Sequence, residues 1–126
     1  METTSAFTVE MLQEILAAFN RHDLDAIMTY FSGDAVLDTP RGPDPGGTRY
    51  VGKEAVREGL AARFAGIPDV HYSEDRHWVC GNRGVSEWRI RGTSTAGDVV
   101  DWRGCDHWEF RDGLVVRKDS YWKSRS

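Results

Sequence analysis

Asp106 lies in a run of large aromatic residues near the carboxyl end of the sequence. Every second residue of the segment 99–110 shares one face if the segment is a β-strand. That set is Val100, Trp102, Gly104, Asp106, Trp108 and Phe110. The set is too apolar to face water, which predicts a carboxyl group buried among Trp and Phe rings. Such a group can act as an acid, a base or a hydrogen-bond donor, or it can be a structural carboxylate satisfied by backbone groups or by Lys118.

Lys118 is the second residue with possible chemistry, and its distance from Asp106 depends on the turn between their strands. A three-residue loop over 111–113 pairs Asp106 with Lys118, whereas a two-residue turn over 112–113 places Asp106 opposite Asp119. The first turn is favoured because it puts the apolar-rich faces of both strands on the same side. In the last strand that face is Leu114, Val116, Lys118, Ser120 and Trp122, opposite Val115, Arg117, Asp119 and Tyr121.

The charge of Lys118 bears on what Asp106 can do. Lys118 could be an ion-pair partner, a base or an oxyanion clamp and, less readily, a Schiff-base nucleophile. Burial alone favours a neutral Asp106 that can donate a proton, but an opposing ammonium group favours the ionised form, which accepts one. The turn therefore decides whether the sequence describes a buried acid or a buried base.

The elements that must position these residues change in type along the chain. Apolar spacing predicts helices over 9–20, capped by Thr8, and over 53–64, with a shorter helix between them that begins after Asp23 and carries Leu24, Ile27, Met28 and Phe31. A short strand over 35–39 precedes a loop rich in Pro and Gly. Four β-rich segments come next, which predicts an antiparallel meander over 70–80, 84–95, 98–110 and 114–123, with a bulge at Glu74 and Asp75. Helices first and strands after are typical of an α+β fold, here one domain spanning 1–126.

Composition excludes several classes of function. The net charge is -4 and the basic residues are scattered, which argues against nucleic-acid binding. No apolar run is long enough for a membrane span and the first ten residues do not resemble a signal peptide, so a cytoplasmic protein is expected. The spacing of the two Cys and four His residues does not suit a metal site, and no glycine motif cradles a phosphate. Neither a metal nor another cofactor is therefore expected.

Several short segments, in their order and spacing, are similar to one known superfamily. They are Phe19-Asn20-Arg21-His22-Asp23-Leu24-Asp25-Ala26, Phe31-Ser32-Gly33-Asp34-Ala35, Gly52-Lys53-Glu54-Ala55-Val56, Asp106-His107-Trp108-Glu109-Phe110-Arg111-Asp112-Gly113 and Ser120-Tyr121-Trp122. The chain resembles the nuclear transport factor 2-like superfamily, in its SnoaL-like and ketosteroid-isomerase-like branch. The resemblance implies a cystatin-like α+β barrel, a cone-shaped curved antiparallel sheet wrapped around three helices, with an internal pocket. It also implies a homodimer, because members are often dimeric.

The resemblance carries over to some site residues and not to others. Asp106 aligns with the pocket Asp of ketosteroid isomerase, which is held protonated in order to hydrogen-bond a dienolate oxygen. Trp88 and Trp122 align with aromatic pocket walls. The oxyanion Tyr of that enzyme falls at Ile15 and its general-base Asp falls at Thr39. Steroid isomerisation by that mechanism is therefore not expected, and neither is limonene epoxide hydrolase chemistry, because the segment 88–90 lacks the required carboxylate.

The remaining candidates for contact with a small-molecule ligand are aromatic or polar. Asp38 and Thr39 are expected at the pocket rim, where Asp38 faces the other way by strand parity. Arg41 and its loop could form a lid. The expected substrate-binding set is Trp88, Trp102, Trp108, Trp122, Thr39, Asp38, Tyr50 and His77.

Three functions fit such a pocket. The first is a cofactor-independent acid–base enzyme of the isomerase, cyclase or dehydratase type, with Asp106 and Lys118 as catalytic residues and an apolar carbonyl- or hydroxyl-bearing substrate. The second is a small-molecule binding protein without turnover. The third is a scaffold whose pocket is filled by its own Trp side chains. A homodimer through the outward strand faces is expected, with contacts from Tyr121, Val115 and Cys105.

Overall fold

The computed structural model describes residues 6–124, which form three helices packed against a curved six-stranded sheet. The sheet order is β2-β1-β6-β5-β4-β3, in which β1 and β6 are parallel and all other neighbours are antiparallel. The predicted α+β architecture is confirmed. None of the helices in the described range is long and apolar enough to cross a membrane. The elements are α1 Val9–Asn20, α2 Leu24–Met28, β1 Phe31–Asp38, β2 Arg49–Val51, α3 Lys53–Gly66, β3 His71–Cys80, β4 Arg83–Thr93, β5 Val99–Arg111 and β6 Leu114–Lys123.

The helices begin where the sequence predicts. The hydroxyl of Thr8 accepts the N–H of Met11 at 3.2 Å and caps α1, whose predicted apolar stripe from Leu12 to Phe19 is buried. The carboxylate of Asp23 accepts the N–H of Ala26 and caps α2. Phe31 was predicted on the apolar face of this short helix, but it begins β1 instead. The helix ends at Met28, and the carbonyl of the next-but-one residue, Tyr30, already accepts a hydrogen bond from β6.

Two strands differ from the prediction at the side of the sheet nearest the Pro/Gly loop. β1 is longer than the predicted 35–39, and β2 was not predicted at all. Three residues are too few to show an alternating pattern, so β2 is formed by its pairing with β1 rather than by its own sequence.

The β5–β6 hairpin corrects the predicted register. Asp112 and Gly113 have φ of 53° and 76° and form a two-residue turn, in place of the predicted three-residue loop. Val116 is then unpaired in a bulge, because Phe110 pairs with Val115 while Glu109 pairs with Arg117.

The turn and the bulge each change the register by one residue, so together they restore the side-chain alternation. Asp106 lies opposite Ser120, and Trp108 lies opposite Lys118. Lys118 and Ser120 therefore face inward, as predicted, although the predicted Asp106–Lys118 pairing is wrong. Val115, predicted to face outward, is fully buried inside.

A second bulge, in β3, lies where the sequence predicts it. Glu74 has φ of 54°, and the pairing with β4 changes register between Ser73 and Arg76. The extra residue lets both Tyr72 and His77 point inward although they are an odd number of positions apart. This bulge places the His77 ring beside Ser86.

Candidate functional site

Asp106 is 4% exposed and lies at the centre of a buried hydrogen-bond cluster. Its Oδ1 accepts hydrogen bonds from Lys118 Nζ at 2.8 Å and from Ser120 Oγ at 2.6 Å. Its Oδ2 accepts one from Trp88 Nε1 at 2.9 Å. None of these bonds requires a proton on the carboxyl group, so the geometry is that of an ionised carboxylate that accepts three donors.

Lys118 is 7% exposed and uses two of its three N–H bonds within the described residues, on Asp106 and on Ser120 Oγ. Its Nζ also lies 5.3 Å from the ring centre of Phe19 and 5.7 Å from that of Trp108, within cation–π distance. The ammonium group is thus held in place by an ion pair on one side and aromatic faces on the other.

Three neighbouring cavities extend from the surface of the fold toward Asp106. The mouth cavity measures about 770 Å³ and is open to solvent. The upper inner cavity, about 20 Å³, and the lower inner cavity, about 10 Å³, have room for about one water molecule each. The mouth cavity is lined by Arg41, Arg63, Gly66, Ile67, Ser94, Asp98, Val99, Val100, Asp101, Trp102 and Trp122.

A few side chains separate these cavities. Arg63 and Trp122 line both the mouth and the upper inner cavity. Phe19, Tyr72 and Lys118 line both inner cavities. Lys118 therefore lies between the two inner cavities, with its partner Asp106 in the wall of the lower one, behind a partition made of Arg63 and Trp122.

Tyr72 contributes a hydroxyl group that the sequence did not reveal as a candidate. Its ring packs edge-on against Trp88 at 5.0 Å, and its hydroxyl makes no hydrogen bond to any other residue of the described range. Burial raises the pKa of this phenol, so it is a donor rather than a base at neutral pH. The bulge in β3 hid Tyr72 because it makes the alternation of that strand unreadable.

His77 belongs to a separate chain of hydrogen bonds that ends at the lower inner cavity. Its ring is 2% exposed, with Nε2 2.7 Å from Asp75 Oδ2 and Nδ1 2.7 Å from Ser86 Oγ. A carboxylate beside Nε2 places the ring proton there, so Nδ1 accepts the Ser86 hydroxyl proton, while Ser86 accepts the N–H of Trp108 at 2.9 Å. The sequence identified His77 and Trp108 but not Ser86 or Ser120, because small hydroxyl residues carry no signal of burial.

The predicted substrate-binding residues are distributed unevenly. Trp102 lines the mouth cavity, and Trp122 lines both the mouth and the upper inner cavity. Trp88 and Thr39 line the upper inner cavity, whereas Trp108 and His77 line the lower one.

Asp38 and Tyr50 lie away from these three cavities. The Asp38 carboxylate faces the other side of the sheet, where it is bound by Arg49 at 2.8 Å and by Arg117 at 2.8 Å. Burial is the largest single influence on its pKa and raises it, but the two guanidinium groups together hold the pKa below the ordinary value. Tyr50 packs against α3 at Gly59. Asp38 and Thr39 both line a further cavity of about 440 Å³ that also reaches Trp122, so a contribution of Asp38 to the rim stays a prediction.

The family model of the SnoaL-like domain matches residues 12–118. This chain belongs to the SnoaL-like domain family. Its fold is shared with solved structures of low sequence identity. A candidate polyketide cyclase from Pseudomonas putida KT2440 is 18% identical, with a TM-score of 0.82 over 93% of this chain and 92% of that one. An NTF2-like protein of unknown function from Burkholderia pseudomallei K96243 is 22% identical, with a TM-score of 0.80 over 90% and 88%.

A third relative has been crystallised with a small molecule. TerC, co-crystallised with polyporic acid, is 21% identical, with a TM-score of 0.77 over 91% of this chain and 90% of that one. Among curated proteins none matches this sequence. At these identities the SnoaL-like likeness defines the fold, and the chemistry has to be argued from the residues themselves.

Proposed function

We propose that this SnoaL-like protein is a cofactor-independent acid–base enzyme acting on an apolar molecule that bears a carbonyl or hydroxyl group. The observation that carries the proposal is the buried Asp106–Lys118 ion pair, in which Lys118 lines both inner cavities and Asp106 lines the lower one. A buried ion pair is expensive to desolvate and often contributes little to stability. Its position beside internal space, rather than in solid core, favours a role in chemistry.

The geometry supports distinct roles for the two members of the pair. Among the described residues, Trp88 is the one donor to Oδ2 of Asp106, so this oxygen has a lone pair available to remove a proton next to a carbonyl group. The third N–H of Lys118 can then stabilise the negative oxygen of the resulting enolate. The hydroxyl of Tyr72 is a second donor on the same cavities. Isomerases, cyclases and dehydratases share this step and differ in the fate of the enolate.

The size of the inner cavities limits how a substrate can bind. Each holds about one water molecule, so the reactive end of a substrate must displace the partition made of Arg63 and Trp122. The rest of the molecule would occupy the mouth cavity, against Trp102. We therefore expect Trp122 to change rotamer on binding.

The test is proton exchange on a small apolar ketone. In D2O, the wild-type protein should accelerate deuterium incorporation at the α-carbon of 2-tetralone, measured by proton NMR. Asp106→Asn should reduce this rate about 100-fold or more, the usual contribution of a general base. Asp119→Asn is the matched control, because Asp119 lies on the same hairpin but contacts Arg117 and Tyr121 on the outer side.

Loss of the fold must be separated from loss of catalysis. Removing one partner of a buried ion pair can cost about 3–5 kcal/mol, so Asp106→Asn is compared with the double variant Asp106→Asn/Lys118→Met, which leaves no unpaired ammonium group. Both are checked by near-ultraviolet circular dichroism. If both variants fold and still incorporate deuterium at the wild-type rate, Asp106 is not the base.

A non-catalytic binding protein is the second candidate. It is favoured by the three hydrogen bonds that Asp106 already accepts, because a substrate would have to compete with these donors for the carboxylate oxygens. This alternative predicts that wild-type protein binds 2-tetralone without accelerating exchange and that Asp106→Asn changes affinity only.

A further inference from the structure

Two arginine side chains meet over tryptophan rings at the mouth of the fold. The guanidinium carbon of Arg63 lies 4.3 Å from the ring centre of Trp122. That of Arg41 lies 5.4 Å from the same ring and 4.7 Å from the ring of Trp102. Trp102 and Trp122 themselves are 5.0 Å apart. Two cations therefore share one aromatic surface, and they come from separate elements, α3 and the loop after β1.

Neither guanidinium group has an anionic partner within residues 6–124. Eight of the twelve arginines in that range form ion pairs or hydrogen bonds with carboxylates. Four form none with any described side chain, and of these Arg41 and Arg63 line the mouth cavity, whereas Arg21 and Arg91 do not. Asp98 lines the same cavity without pairing to either, and Asp101 is bound by Arg89.

The electrostatic setting of Arg63 is unfavourable without a ligand. Burial lowers the pKa of its guanidinium group, and the nearby charge of Arg41 lowers it further, only partly offset by Tyr72 and Asp106. The group remains a cation at neutral pH, because the pKa of arginine starts so high. A partly buried cation beside an exposed like charge and without a counter-ion is costly, and an anion bound to the two groups reduces that cost.

We infer that the mouth cavity binds the carboxylate of a planar aromatic acid, held by Arg41 and Arg63. The two tryptophan rings supply the apolar surface on which a planar ring system packs, and the guanidinium groups supply donors for a carboxylate. The open volume of about 770 Å³ accommodates such a molecule. An inorganic anion would bind the two guanidinium groups but would not pack on the tryptophan rings.

The inference deepens the proposed function. It rests on that function only where it treats the bound acid as the substrate. It adds a carboxylate to the otherwise apolar substrate of that proposal. The carboxylate stays at the mouth, and the carbonyl end reaches Lys118 and Asp106 when Trp122 changes rotamer. Binding of an acid at the mouth can be measured without turnover, so the two ideas can fail separately.

The test compares three probes by isothermal titration calorimetry: 2-naphthoate, the neutral 2-naphthalenemethanol and inorganic phosphate. Wild-type protein should bind 2-naphthoate at least about tenfold more tightly than the alcohol, the effect of one charge-assisted hydrogen bond. Arg63→Gln should remove most of this preference, and Arg41→Gln should reduce it. Arg57→Gln is the matched control, because Arg57 lies on the same helix and is paired with Asp25.

The outcomes are distinct. Equal binding of the acid and the alcohol, or a preference that persists in both Arg63→Gln and Arg41→Gln, would overturn the assignment. Phosphate binding as tight as that of 2-naphthoate would show an unspecific anion site and also overturn it. Asp106→Asn should keep the preference for the acid whether or not it loses catalysis, so a failed catalytic proposal leaves this result unchanged.

Discussion

Asp38 and Asp106 show why burial of a carboxylate is not by itself a sign of catalysis. Both are buried and both are paired with cations. Asp38 faces Arg49 and Arg117 on the outer side of the sheet, whereas Asp106 faces the inner cavities. Asp38 also lines a cavity, of about 440 Å³, but it shares that cavity with the outward-facing Arg117 and Asp119. Asp106 adjoins space in the core instead, and for that reason only Asp106 enters the proposed mechanism.

The stability contributed by Asp38 should depend on pH. Its pKa is lower in the folded protein than the ordinary value of 3.8, so its contribution is complete above that value and is lost as the pH falls through the folded pKa. We expect Asp38→Asn to lower the free energy of unfolding by about 1–3 kcal/mol at pH 7, and the difference from wild type to shrink below about pH 4. Urea unfolding at several pH values measures both.

The control for this prediction is Asp34→Asn. Asp34 also pairs with an arginine, Arg111, but both side chains are exposed to solvent. Exposed pairs contribute little, so this change should have a smaller effect at every pH. A loss in Asp38→Asn that does not change with pH would contradict the assignment of the effect to ionisation.

Among single residues, the sequence predicted best where the alternation is unbroken. The six inward positions of β5 were all correct in direction, since the strand has no bulge between Val100 and Phe110. Tyr72 and Ser86 were missed. The bulge at Glu74 makes the inward side of β3 impossible to read from spacing. Ser86 becomes a candidate only once it is known to hydrogen-bond His77, and that contact depends on the same bulge.

At the scale of elements, two local irregularities cancel and preserve the site. The segment Arg111-Asp112-Gly113 is compatible with either a two- or a three-residue turn, so the sequence could not fix the pairing partner of Asp106. It did predict the inward face beyond the bulge, because the apolar-rich faces of both strands must lie on the same side; the structure adds that Lys118 and Ser120 then hydrogen-bond Asp106. The face of a strand is determined by many residues, but its register by one or two.

Gly104 links the curvature of β5 to the site. A Cβ atom there would lie 2.5 Å from the carbonyl oxygen of Tyr121 and 2.6 Å from Cζ3 of Trp88. Gly104→Ala must therefore push the Trp88 ring away and disturb its hydrogen bond to Asp106. We expect a loss of about 1–3 kcal/mol in the free energy of unfolding, typical of overpacking. The shift of the Trp88 indole N–H resonance reports the displaced ring.

Gly33→Ala is the matched control, because nothing lies within 4 Å of a Cβ atom at that position in β1. It should leave stability and the Trp88 resonance almost unchanged. Equal stability of the two variants would show that Trp88 can move without cost, and its role in holding Asp106 would have to be abandoned.

The molecule as a whole is closed at one end and open at the other. Phe7 stacks on Phe110 with ring centres 4.0 Å apart, beside the turn of the last hairpin. The arginines and tryptophans of the mouth lie at the opposite ends of β5 and β6. The interior is nearly filled by side chains, as expected for a scaffold protein. A scaffold, however, does not need the large mouth cavity or the buried ion pair behind it.

The outer face of the sheet is the surface that we expect to form a homodimer. Tyr121 is 52% exposed there and lies 5.1 Å from the ring of His107, and Cys105 is partly buried next to them. Val115, which the sequence placed in this contact, faces the core and cannot take part. An exposed aromatic pair flanked by arginines suits the centre of an interface, where aromatic residues and arginines are enriched.

Tyr121→Arg should therefore convert a dimer into a monomer, because two copies of the new cation would face each other across a twofold axis. Light scattering coupled to size-exclusion chromatography should give twice the mass of one chain for wild type and a single mass for the variant. Trp78→Arg is the matched control, because Trp78 is similarly exposed but lies on the edge strand β3. A monomeric wild-type protein would show that there is no such interface. A dimer broken by Trp78→Arg and not by Tyr121→Arg would place the interface elsewhere. Cys105, His107 and Tyr121 do not line the mouth cavity, so a dimer centred on them leaves the site open on both chains.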